Sequence, residues 1–144
     1  METGGPSVFI VPITPENEIY MIGLHRYPTD MYSLEIPAGN SDGEAPLLAA
    51  KRELQEETGF KAESWENIGQ FQVMNGVCSE MGHIYLARDL VQTEDNSQKE
   101  EGIREMKKVP STKIPSFIQS GKINDGQSII ALTKAFLHLG MPLE

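Results

Sequence analysis

Cysteine is almost missing from this chain of 144 residues: Cys78 stands alone, so no internal disulfide or cysteine-based zinc site can form. Long apolar runs are missing as well, with none approaching the ~20 residues that a membrane span needs. Positive charge is scarce. Twelve Lys and Arg stand against 21 Asp and Glu, a formal net charge of −9, which disfavours a nucleic-acid phosphate backbone as partner. The same excess opposes a phosphorylated small molecule unless metal ions screen the site. The opening residues, Met-Glu-Thr-Gly-Gly-Pro, lack the basic and apolar regions of a signal peptide, and a cytoplasmic protein is expected. Neither an internal repeat nor a low-complexity tract is present. The remaining composition, 39% apolar and 23% charged, is that of a globular protein, and the length predicts one domain over residues 1–144.

Strands and helices interleave. Ser7–Ile13 is β-branched and apolar and reads as a strand, with Pro12 at an edge or an end. Thr14–Asn17 is a turn. Ile19–His25 pairs back, and Tyr32–Ile36 is a short extended piece broken by Pro37-Ala38-Gly39. Asn40–Gly43 is a polar loop. A helix begins near Pro46, which suits a first turn because its missing N–H costs nothing there. It runs to about Thr58, with Gly59 as the residue after the cap. Leu47 and Leu54 are expected to anchor it to the sheet. Further strands are predicted at Trp65–Val73, Gly82–Asp89 and Ile103–Val109, with a polar loop over Val91–Glu101. A short helix ends at Ser120. A last helix is capped by Asn124 or Asp125, and its apolar positions Ile129, Ile130, Leu132, Ala135, Phe136 and Leu139 follow helical spacing. Trp65 and Phe71 are expected in the core. His25, His83 and His138 show no ligand spacing.

The helix after Pro46 carries Glu53, Glu56 and Glu57. At ~100° per residue the three carboxylates fall within a ~100° arc. Like charges at these spacings repel and weaken a bare helix, whereas clustered hard oxygen donors are what Mg²⁺ or Mn²⁺ needs. A solvated acidic face is the ordinary reading of such a pattern; the flanking residues overturn it.

Gly39, Glu44, Arg52, Glu53, Glu56, Glu57 and Gly59 together resemble the Nudix box, Gly-x5-Glu-x7-Arg-Glu-aliphatic-x-Glu-Glu-x-Gly-aliphatic. Seven such positions coincide by chance with a probability of ~10⁻⁸ per start at average residue usage. Leu54 and Phe60 suit the apolar positions. One departure is plain: four residues separate Gly39 from Glu44, where the family has five. Outside the box, Glu35-Ile36-Pro37-Ala38-Gly39, Arg26-Tyr27-Pro28 and Gly121-Lys122-Ile123-Asn124-Asp125 resemble the branch that hydrolyses ADP-ribose and nucleoside diphosphate sugars. Members of that branch have a longer region before the box, which helps to form their dimer and base pocket.

The resemblance implies a Nudix-type α/β/α sandwich with a mixed sheet. It implies Mg²⁺, with Mn²⁺ as a possible substitute, held by carboxylates of Glu53, Glu56 and Glu57 and by the Ala38 carbonyl. Glu56 thereby joins the catalytic set. Glu101, before Gly102-Ile103-Arg104, corresponds to a loop Glu that acts on the catalytic water, with Glu100 as its rival, and Glu80 to a further Glu near the metals. Arg26 is expected to contact phosphate or ribose, with Glu35 beside it in the substrate site. Glu44 and Arg52 would pair to brace the box, together with Gly39 and Gly59. The implied reaction cleaves the diphosphate of ADP-ribose or a related nucleoside diphosphate sugar into a nucleoside monophosphate and a sugar phosphate. A homodimer stays open. Two alternatives stand beside it: a house-cleaning nucleoside triphosphate pyrophosphatase, which Glu35–Gly39 argues against, and a non-catalytic nucleotide-sugar-binding module, which would be expected to lose carboxylates that this chain keeps.

Overall fold

The computed structural model describes residues 5–26, 31–74, 80–94 and 102–144. The strands are β1 (Ser7–Pro12), β2 (Glu18–Arg26), β3 (Met31–Glu35), β4 (Ala38–Asn40), β5 (Phe60–Gln72), β6 (Met81–Gln92) and β7 (Ile103–Pro110). The helices are α1 (Pro46–Thr58), α2 (Ile114–Ser120) and α3 (Gly126–Leu139). A mixed sheet has the order β4-β1-β6-β5, in which β1 and β6 run parallel and the outer pairs antiparallel. A second, antiparallel sheet has the order β3-β2-β7.

Period-two alternation divides β1 and β6 between two cores. Val8, Ile10, Tyr85 and Ala87 face α1, where they meet Ala49, Ala50 and Leu54. Phe9, Val11, Ile84 and Leu86 face the other way, onto Ile19 and Met21 of β2 and Leu132 and Phe136 of α3. Helices thus cover both sides of the strands, an α/β/α sandwich with a mixed sheet.

Several boundaries differ from the sequence reading. Ala38–Asn40 is a strand, because its backbone pairs with Ser7–Phe9. β5 starts at Phe60, five residues before the expected Trp65, and β6 extends to Gln92, because the two pair from Phe60↔Gln92 to Gln72↔Met81. That ladder includes Val91 and Gln92, which the sequence reading placed in a polar loop. Leu47 does not anchor α1: it is exposed, whereas Leu54 is fully buried. The small side chains of Ala49 and Ala50, both fully buried, form the rest of the contact. Trp65 and Phe71 lie at core margins, each partly buried.

Candidate active site

The box arises from a strand, a turn and a helix. β4 ends at Asn40, whose side-chain oxygen accepts the Asp42 N–H at 2.8 Å, and the Glu44 N–H closes the turn on the Ser41 carbonyl. The shortened loop is thus a compact turn that delivers the chain to Pro46 at the start of α1. Gly59 ends the helix in the left-handed region, φ 78°, where a side chain would be strained.

Gly39 faces α1. A Cβ there would overlap the carboxylate of Glu53, so only glycine admits that acid against the strand. Glu53 and Glu57 are buried, at 8% and 7% exposure, while Glu56 is partly exposed. Burying carboxylates is costly unless they are paired. Glu57 accepts the Ala38 N–H at 2.8 Å. Arg52 reaches Glu44 at 2.7 Å, Glu53 at 2.8 Å and Glu56 at 3.5 Å, and donates to the Asn40 carbonyl at 3.3 Å. Its guanidinium ties turn, strand end and helix together. The Glu44 hydrogen bond leads the influences that raise its pKa, ahead of the opposing effect of burial.

The last turn of α1 contains Glu56 and Glu57 and no basic residue. That end of a helix carries the negative pole of the dipole, so two acids there are unfavourable without added cation. Among the described residues, no three acidic or histidine side chains form a preassembled cation cage. The donor types nonetheless fit a hard divalent ion: carboxylates at one helix end, and Gly39 leaving space beside them. Ala38, whose carbonyl is expected to bind metal, is placed beside them by its N–H bond to Glu57.

Arg26 and Glu35 lie beside this acid face. Two hydrogen bonds join them, Nε to Oε2 at 2.9 Å and Nη2 to Oε1 at 2.6 Å. Burial pushes the Glu35 pKa up, but hydrogen bonds from Arg26 and Ser33 prevail and hold it below the usual carboxylate value. The Glu35 bond raises Arg26, and the fields of Asp125 and Glu57 add to it. The pair lines a cleft of about 310 Å³ with Tyr32, Asn124, Asp125 and Gly126. Asp125 caps α3 by accepting the Ser128 N–H at 3.0 Å and the Ser128 hydroxyl at 2.7 Å. The Ser128 oxygen in turn accepts the Ile36 N–H at 3.1 Å. This buried relay fixes Glu35–Ala38 against the start of α3. Sequence reasoning found Asp125 as a cap but missed Ser128, whose only signal was its place three residues after the cap.

Glu80 accepts a hydrogen bond from the Ser7 hydroxyl, and Ser7 lies in register with Asn40 of β4. It therefore sits at the same sheet end as Gly39. Glu100 and Glu101 lie outside the described residues.

A family model of the NUDIX domain matches residues 4–129. The chain is similar to the methanol dehydrogenase activator of Bacillus methanolicus, at 32% identity over 88% of this chain and 69% of that protein. It is 30% identical to an ADP-ribose pyrophosphatase of Bacillus subtilis (strain 168), over the same shares of each chain. A GDP-mannose pyrophosphatase of Yersinia enterocolitica is 28% identical over 95% of this chain and 76% of its own. The crystal structure of an ADP compounds hydrolase superposes with a TM-score of 0.83 at 24% identity, covering 94% of this chain and 72% of that one. That likeness is one of fold.

Proposed function

The chain belongs to the NUDIX domain family and is a Nudix hydrolase, and from that premise we propose that it cleaves the diphosphate of ADP-ribose or a related nucleoside diphosphate sugar. With ADP-ribose the products would be AMP and ribose 5-phosphate. The observation that carries this reading is the meeting of two features. The acid end of α1 carries buried Glu53 and Glu57, and the Arg26–Glu35 cleft lies close enough for the charge of Glu57 to act on Arg26. The pyrophosphatase names of two relatives point the same way.

Glu53, Glu56 and Glu57 would hold Mg²⁺, or Mn²⁺ in its place. The chemistry such an ion supplies is neutralisation of the diphosphate and activation of water. The chain's own work is positioning. The Ala38 N–H orients Glu57, Gly39 leaves room for Glu53, and Arg52 ties Glu53 and Glu56 to Glu44 in the turn. Glu35 holds the Arg26 guanidinium by two of its nitrogens, which would orient it toward a phosphate or ribose oxygen. Phosphoryl-type transfer asks little covalent chemistry of a protein, so such placement dominates. Glu101 would take the proton of the attacking water, with Glu80 the next candidate.

A substrate panel with Mg²⁺ and with Mn²⁺, products resolved by chromatography, tests the reading. ADP-ribose or another nucleoside diphosphate sugar should show a higher kcat/KM than any nucleoside triphosphate. A tenfold or greater preference for a triphosphate would overturn it. In that assay Glu101→Gln should lower kcat strongly, with metal affinity measured by calorimetry without substrate changing little, while Glu100→Gln stays near wild type. A dead Glu100→Gln would move the base by one residue.

A further inference from the structure

On the helix face away from the acids lies a second cavity, of about 370 Å³, lined by Lys51, Arg52, Gln55, Lys61, Ala62 and Trp65. Lys51 and Gln55 project some 160–200° from Glu53 around the helix axis, so the cavity and the acid face lie back to back with Arg52 between them. Three of the chain's twelve Lys and Arg line it, and no Asp or Glu does. Arg52 is paired with Glu44, Glu53 and Glu56, so Lys51 and Lys61 supply the cavity's positive charge. Lys51 and Lys61 are exposed, and among the described residues neither has an ion pair or hydrogen bond to another side chain.

The wall beside these ammonium groups is aromatic and rigid. Trp65 donates its indole N–H to the Ala62 carbonyl at 2.9 Å, and Tyr85 packs against its ring at 6.2 Å and 74°. With the N–H already satisfied, the part of the indole that faces the cavity offers only an apolar surface. Such a surface stacks flat rings such as nucleobases. Two ammonium groups beside it bind a phosphate as point charges. We propose that this cavity is a second ligand site, separate from the catalytic cleft, that takes a nucleoside monophosphate with its base on Trp65 and its phosphate between Lys51 and Lys61.

Trp65 is the chain's only tryptophan, so its fluorescence reports on the wall of this cavity. AMP titrated into the full-length protein in EDTA, where no turnover occurs, should quench that fluorescence saturably. The Lys51→Ala/Lys61→Ala double variant should need at least ~10-fold more AMP, the loss expected for removing charge-assisted contacts to phosphate. Both substitutions are at exposed positions, and far-UV circular dichroism should show the fold retained. Adenosine and inorganic phosphate should each act more weakly than AMP. The proposal is overturned by an absence of saturable quenching, by an unchanged double variant, or by phosphate alone matching AMP. Because nothing is hydrolysed, none of these outcomes depends on the substrate proposed above.

Discussion

Single residues at this site are constrained by space and by charge. Gly39 is the clearest case, because any side chain there would occupy the place of the Glu53 carboxylate. Gly39→Ala should therefore lower kcat at least ~10-fold, checked by steady-state kinetics with circular dichroism to show that the fold persists. Glu57→Gln keeps the shape and removes the charge. It should lower kcat by at least ~10²-fold, about 2.7 kcal/mol of barrier, and weaken Mg²⁺ binding by calorimetry; wild-type turnover would show that the acid is ornamental. The Arg26–Glu35 pair gives a pH dependence. The Glu35 pKa is lowered by folding, so the native state releases that proton more readily than the unfolded chain. The pair's contribution is complete above the ordinary carboxylate value of 4.5 and is lost as pH falls below it. Arg26 is half-exposed, so the contribution is about 1 kcal/mol. Chemical denaturation should show Glu35→Gln less stable than wild type near pH 7, with the difference shrinking as pH falls below 4.5.

At the scale of an element, α1 has two tasks. Its apolar side holds it to the first sheet, while its C-terminal turn keeps acids where the dipole disfavours them. The first task must offset the second. Leu54→Ala removes a fully buried side chain between α1 and β1 and should cost about 2–5 kcal/mol. Leu47→Ala, at an exposed position, should stay within about 0.5 kcal/mol of wild type. Denaturant midpoints of the two variants would separate them, and equal losses would mean that the packing described is wrong. Helical spacing predicted both leucines as anchors because it reports azimuth alone. How close each turn comes to the sheet depends on Ala49 and Ala50, whose lack of bulk is invisible to a hydrophobic pattern.

For the whole molecule, negative charge is the governing quantity. A net charge of −9 opposes an anionic substrate at long range, and a bound divalent cation would reverse the field locally. EDTA should abolish hydrolysis and Mg²⁺ should restore it. The melting temperature should also rise with Mg²⁺, since an ion that binds only the folded acids stabilises them by mass action. A melting temperature indifferent to Mg²⁺ would mean that the acid face takes no ion in the free protein. Among the described residues no helix is long and apolar enough to cross a membrane.

Local chemistry was enough to read the acid helix, its Pro46 start and its Gly59 end, because each depends on residues within a few positions of one another. The first strand was legible for the same reason, through its β-branched apolar run at Ser7–Ile13. Distance along the chain hid the rest. Ser128 binds Ile36 across 92 residues, and β4 exists only because β1 lies beside it. Lys51, Lys61 and Trp65 share a cavity only because β5 begins at once after α1 and lies against it. The pattern of a segment states which faces are apolar or charged; which faces then meet is set by strand register and helix approach, and those depend on packing across the whole chain.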